Sequence, residues 1–298
     1  MGAHGIDGID HLVIVVRDLE KAQDAYRRMG FTVSPTGRHG ELKSANHTIM
    51  FGGMFGGMSG AGDYLELLAI EQPHPFTAFY SDVLKTREGI AAAALKTGDA
   101  RAAQRLLAEA GYPAGEPVEF GRPVDLPGGA QQARFTTTPI DGVPEWGGRV
   151  FLCQHHTPDV VWRPELIQHD NTATGLAALV VAADDPDATA ASYARLFGTA
   201  VEAQGPARVV PTGSAPIVVA DPAALNWGWT SDPALTVPRP FLAGVVVRVA
   251  DPERAQQALQ KSKFPTVVGN GALRVSSASA CGAMLAFATD FDLRALIP

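Results

Sequence analysis

Only two cysteines occur in the 298 residues, Cys153 and Cys281, and neither belongs to a Cys-x-x-Cys pair. Nothing therefore suggests a disulfide framework or a structural zinc knuckle, and reduced thiols are the expectation. Charge is sparse too. There are 24 Lys plus Arg against 31 Asp plus Glu, a net charge of −7. No basic cluster is long enough to follow a phosphate backbone, so no nucleic-acid partner is expected. The longest apolar runs, such as Gly175 to Ala183 and Phe241 to Val247, fall well short of the roughly 18 to 20 residues that cross a bilayer. No membrane partner is expected. The residues after Met1 show no basic stretch leading into an apolar core, and a cytoplasmic location follows as an expectation. The motifs Gly-x-Ser-x-Gly, His-Glu-x-x-His, and Gly-x-Gly-x-x-Gly after a strand are all missing, which removes the commonest hydrolase, zinc-protease and dinucleotide readings.

What is present is a well-buried composition, 46% hydrophobic, organised around one phrase. From Ile9 to Leu19 an apolar, largely β-branched run from Leu12 to Val16 reads as a buried strand, and Asp18 is placed to cap the helix that follows. His11 stands at the strand's entrance. The strand, Asp, helix phrase recurs with Asp99, Asp185 and Asp251 in the place of Asp18, so the pattern predicts four loosely diverged β-α-β-β-β modules. In the first, a helix from about Leu19 to Met29 ends at Gly30, and strands are expected at Phe31 to Val33, Asn46 to Phe51 and Tyr64 to Ile70. In the second, strands are expected at Ile90 to Leu95, Glu116 to Phe120, Gln131 to Thr137 and Arg149 to His155. A Pro-rich, polar connection at 161–174 separates an N-terminal domain, 1–160, from a C-terminal domain of two shorter modules, 175–298.

Asp10-His11-Leu12-Val13-Ile14-Val15-Val16-Arg17-Asp18-Leu19, Ala45-Asn46-His47, Asp63-Tyr64-Leu65-Glu66-Leu67 and Phe151-Leu152-Cys153-Gln154-His155 follow one another in order. With them the chain resembles the glyoxalase-like family of the vicinal oxygen chelate superfamily, most strongly over residues 8 to about 185. The resemblance implies an α+β fold in which paired modules form curled, mostly antiparallel, half-open barrels. It also implies a ligand site in the concave mouth, and a divalent metal held by the first and last strands of each module. Lyases, isomerases, ring-cleaving dioxygenases and metal-free binding proteins share that fold, so the fold fixes no single reaction. A homodimer would be unsurprising, because partial sheets in this superfamily often complete one another between chains.

Carried over residue by residue, the metal positions of module one are His11 and Glu66. Those of module two fall at about Ile90 and at Cys153, which depart from the pattern, and His155, on the same strand face as Cys153, is the candidate third ligand. Such a donor set suits Zn, Mn, Fe or Ni and leaves positions open for a substrate. Each residue also has a plainer reading: His11 as a strand-end histidine bonded to a carbonyl, Glu66 as a solvent-facing strand residue, Cys153 as a small buried residue. His47, at a strand's start, could reach the mouth as a general base beside Glu66. Between the strands, Gly52 to Gly62 lacks a Gly-Lys-Ser/Thr ending and leads into no helix. It reads as a connection whose Met54 and Phe55 could cover an apolar ligand. Arg122, Arg134 and Arg149 lie in or beside module-two strands and could neutralise a substrate carboxylate, with Arg134 placed in the pocket together with Cys153. The expectation is a metal-dependent enzyme acting on a small oxygen-bearing molecule, with a metal-free binding or sequestering protein as the alternative.

Overall fold

A computed structural model describes residues 2–52, 62–126, 129–225, 236–269 and 272–290. The N-terminal half contains β1 (Ile9–Val15), α1 (Leu19–Arg28), β2 (Gly37–His39), β3 (Ser44–Met50), β4 (Tyr64–Ile70), α2 (Ala78–Thr86), β5 (Gly89–Lys96), α3 (Ala100–Glu109), β6 (Val118–Leu126), β7 (Gly129–Ile140), β8 (Arg149–His155) and α4 (Pro158–Val161). The remainder contains β9 (Ala173–Ala182), α5 (Pro186–Phe197), β10 (Glu202–Gln204), β11 (Ala207–Val210), β12 (Ile217–Ala220), α6 (Pro222–Leu225), β13 (Phe241–Val249), α7 (Pro252–Lys261), β14 (Val267–Gly269), β15 (Ala272–Val275) and β16 (Met284–Ala288).

These strands form two eight-stranded sheets of one design, ordered β2-β3-β4-β1-β5-β8-β7-β6 and β10-β11-β12-β9-β13-β16-β15-β14. In each, the first strands of two modules run antiparallel at the centre, and each first strand pairs in parallel with its own module's last. The first sheet curls until its edge strands β2 and β6 approach one another, which gives the α+β half-barrel architecture of vicinal oxygen chelate proteins. Among the described residues, each helix of ten or more residues starts where an aspartate can accept from the backbone: Asp18 from Lys21, Asp99 from Ala102, Asp185 from Ala188, Asp251 from Arg254. Each carboxylate takes up an N–H that the first helical turn leaves without a partner.

Alternation along the strands separates two interiors. Leu12, Ile14, Leu65, Leu67, Ile90 and Leu152 face the helices and join one apolar core that continues through Leu179, Val181, Val245 and Phe287 of the second sheet. Tyr193 ties the halves across it, its hydroxyl donating to the Trp146 carbonyl at 2.6 Å. The opposite face of the first sheet lines a cavity.

The chain differs from the sequence expectation in three places. Phe31 to Val33 is not a strand: Phe31 and Val33 are buried in the shared core, the Thr32 N–H is taken by His169 Nδ1, and the strand forms later, at β2. The β6/β7 hairpin is longer than predicted, and α2 was not anticipated. No helix among the described residues is long and apolar enough to cross a membrane.

Candidate functional site

At the entrance of β1 the ladder with β5 is irregular: Ile9 faces Leu95 and His11 faces Ala94, leaving Asp10 as an extra residue. Neighbouring strand residues normally point to opposite faces, and a bulge relaxes that rule. Here the Asp10 carboxylate and the His11 ring come together, Oδ1 to Nδ1, at 2.7 Å, both buried. The same Asp10 oxygen lies 3.1 Å from His155 Nε2, at the end of β8. Burial alone would raise the Asp10 carboxyl, but the two imidazoles hold it far below the usual carboxylate range. Asp10 Oδ2 and His155 Nδ1 remain buried without a hydrogen-bond partner.

His11 is fixed on its faces as well. Tyr64 stacks on it at 4.2 Å between ring centroids, and Phe151 meets it edge-on at 5.6 Å. With Nδ1 committed to Asp10, the Nε2 atom points into the cavity and lies 3.6 Å from Glu66 Oε2. Glu66 is 9% exposed. Its other oxygen accepts from Asn46 Nδ2 at 2.5 Å, and Asn46 Oδ1 is left buried and unbonded.

The cavity is lined by His11, Asn46, Tyr64, Glu66, Arg122 and Cys153, with Phe76, Phe120, Phe135 and Phe151 forming apolar walls. The centre of a water molecule can occupy about 60 Å³ of it, room for several waters or a small organic molecule. His39 also lines it, bonded through Nδ1 to Ser44 Oγ, with its pKa lowered by burial. Burial pushes the Cys153 thiol well up, and the nearby Asp10 and Glu66 carboxylates reinforce that, which disfavours the thiolate.

The structure brings His11, Glu66 and Cys153 to the cavity and sets His155 behind it, against Asp10. One further donor group follows: atoms of Asp10, Cys153 and His155 lie within 4.8 Å of one another and could hold a metal ion. Two assignments are corrected. His47 does not face the cavity, because Ser44, Asn46 and Thr48 do, and alternation turns it toward α1, where its Nδ1 bonds the Ser34 carbonyl at 2.8 Å. Arg134 lies on the outer face of β7, in a surface groove with Arg38 and His156, whereas Arg122 on β6 faces inward. Met54 and Phe55 lie outside the described residues.

The module-two metal positions also move. The offset between the capping aspartates Asp18 and Asp99 carries His11 onto Ala92 rather than Ile90. Val13 stands beside Glu66 as Ala94 stands beside Phe151, so the acid position is Phe151 rather than Cys153. Neither residue can bind a metal. In the second sheet the same offsets give Ala178 and Gly244 for His11, and Val218 and Ala286 for Glu66. Asp10 and Asn46 were missed as site residues. Both stand in the quoted motifs, yet only the bulge and the strand's facing reveal what they do.

The sequence matches the glyoxalase-like domain family over residues 9–197, and with the half-barrel and its cavity in place the chain belongs to that family. No curated protein matches it. Among solved structures it is similar to a hypothetical protein from Staphylococcus aureus, at 12% identity over 94% of this chain and 98% of that one, with a TM-score of 0.66. It is similar also to a Mn(II)-bound glyoxalase from Novosphingobium aromaticivorans, at 10% identity over 95% and 81%, TM-score 0.54. A xylose isomerase-like TIM barrel/4-hydroxyphenylpyruvate dioxygenase fusion protein matches at 16% identity over 90% of this chain and 40% of that one, TM-score 0.53.

Proposed function

We propose that the protein is an enzyme of the glyoxalase-like type that uses a divalent metal, held by His11 Nε2 and Glu66 Oε2, to transform a small oxygen-bearing molecule in the N-terminal cavity. One observation carries this reading: the 3.6 Å between those two atoms. That is too long for a hydrogen bond, and with the His11 proton held on Nδ1 by Asp10 both atoms turn lone pairs to the same space, where a cation between them would be stabilised. Ligand bonds of about 2.0–2.2 Å to Zn or a similar ion bring two donors to roughly this separation. Asn46, whose amide nitrogen donates to the same acid, has its neutral amide oxygen Oδ1 buried without a hydrogen-bond partner among the described residues.

When bound, such an ion supplies Lewis-acid polarisation of a carbonyl or enediolate oxygen. The chain's own residues do the rest. Asp10 keeps the His11 proton on Nδ1, so that Nε2 presents its lone pair, the arrangement by which carboxylates orient metal-binding histidines. Asn46 fixes Glu66 Oε1, and Tyr64 and Phe151 prevent the imidazole from turning. The aromatic walls give the site an apolar surround. Zn, Mn, Fe and Ni all suit this donor set, and isomerase, lyase and dioxygenase chemistry are each compatible with it. The fold likeness to a Mn(II)-bound glyoxalase accords with the reading.

A second reading, a metal-free protein that binds a small molecule in the same cavity, is favoured by Ala92 and Phe151 at the two positions where a full ligand set would need donors. Elemental analysis of the protein dialysed against each candidate ion separates the two. Near-stoichiometric metal, lost in both His11→Ala and Glu66→Ala, is the expected result. Metal retained in both but lost in Cys153→Ser would move the ion to Asp10, Cys153 and His155. No bound metal in any sample would support the binding protein.

A further inference from the structure

Arg122 is a cation buried in the cavity wall. It is 9% exposed and lines the same space as His11 and Glu66. Among the described residues its guanidinium makes no hydrogen bond and no ion pair within 4 Å, although it lies in the field of Glu66 and Tyr64. A buried guanidinium is costly unless its N–H groups find acceptors, and the half-buried Arg87 and Arg149 each donate to a backbone carbonyl. The fold also makes room for it. A Cβ on Gly37 would come within 2.9 Å of Arg122 Nη1. On the strand, Arg122 stands between Phe120 and Val124 on the inward face, so the cation is set in an apolar wall with Phe120 and Phe135 nearby.

We infer that the cavity takes a small monocarboxylic acid with an apolar or aromatic body, its carboxylate paired in fork geometry with Arg122 and its body against Phe120, Phe135 and Phe76. A planar carboxylate satisfies a guanidinium through two parallel hydrogen bonds. Where no metal neutralises it, Glu66 in the same cavity repels a second negative charge, which selects a monoanion over a dianion. This deepens the enzyme reading by naming its substrate class and rests on that cavity being the reaction site, but it requires no metal.

The test is direct binding of phenylacetate, its neutral isostere phenylacetamide and the dianion phthalate, by calorimetry, with protein as purified and after chelation and dialysis. Phenylacetate should bind tighter than phenylacetamide by about tenfold or more, the size of a charge-assisted hydrogen bond, in both preparations. After chelation, phthalate should bind more weakly than phenylacetate. Arg122→Gln should abolish the acid-over-amide preference while still binding phenylacetamide. Should Arg122→Gln fail to fold, Arg122→Lys, which keeps the charge and loses the fork, should weaken phenylacetate several-fold and leave phenylacetamide unchanged. The inference is overturned if acid and amide bind alike, if neither binds, or if Arg122→Gln retains the preference. It is overturned too if chelation alone removes the preference, since the metal rather than Arg122 would then be reading the carboxylate. A protein that proves metal-free by elemental analysis yet keeps an Arg122-dependent preference would refute the metal reading and leave this one standing.

Discussion

Arg122 lies against the bare Cα of Gly37: a methyl group there would approach its Nη1 to 2.9 Å and Asn46 Oδ1 to 2.5 Å. Gly37 belongs to edge strand β2 and Arg122 to edge strand β6, so the closing seam of the first half-barrel is also where the cavity's cation is seated. Gly37→Ala should displace the guanidinium or the Asn46 amide. The expected outcome is roughly a tenfold loss of phenylacetate affinity, with phenylacetamide binding little changed. Titration of both ligands against the variant checks it.

Asp10→Asn keeps the shape of the side chain and removes the charge that two imidazoles share. Loss of a partner that orients a metal-binding histidine typically costs about 10- to 100-fold in metal affinity. Competition with a chelator of known strength should show a loss of that order. An unchanged affinity would mean that Asp10 only fills space beneath His11.

Two buried groups outside the cavity should give opposing pH dependences. His169 accepts from Thr32 N and bonds the Met50 carbonyl through Nε2, both at 2.9 Å. Burial lowers it from 6.5 to about 4. The unfolded chain therefore binds a proton first, and stability from His169, complete above pH 6.5, is lost as pH falls toward about 4. Burial raises Asp63 from 3.8 to about 7, against the Leu176 N–H that its carboxylate accepts. Its contribution is complete below pH 3.8 and lost as pH rises toward about 7. The two nearly offset between pH 4 and 6.5. Asp63→Asn should uncover a steep fall in Tm on acidification through that window, and His169→Gln a rise. Thermal melts across the range read both.

Tyr193→Phe removes one hydroxyl and leaves the Trp146 carbonyl unsatisfied in the core. A loss of about 1–3 kcal/mol is expected, and because the apolar cluster spans both sheets, urea unfolding should remain a single transition. Two separate transitions in the variant would mean that this bond couples halves that are otherwise independent.

Much of the fold was legible because its signals are local. Each capping aspartate sits where its carboxylate can take an N–H, and Tyr64–Ile70 and Arg149–His155 are strands with the bounds expected of them. Phe31 to Val33 misled for a tertiary reason: its apolar residues are buried, but a histidine more than a hundred residues away takes the backbone donor that a ladder would have used. In the site, His11 and Glu66 could be picked out by type and position. Asp10 could not, because strict alternation puts it on the wrong face and a bulge is invisible in a run of single letters. Choosing Arg122 over Arg134 needed the phase of β6 and β7, which a hairpin one residue longer or shorter at its turn would reverse.

The second sheet has the strand order of the first, but Ala178, Val218, Gly244 and Ala286 stand where chemistry would be, and Ala178, Val218 and Ala286 belong to one buried apolar cluster. A polar side chain introduced there would have to be dehydrated with nothing to bind. The two sheets are therefore held to different demands: the first must keep polar side chains of fixed type beside a cavity, while the second, packed with apolar side chains, is held to volume alone.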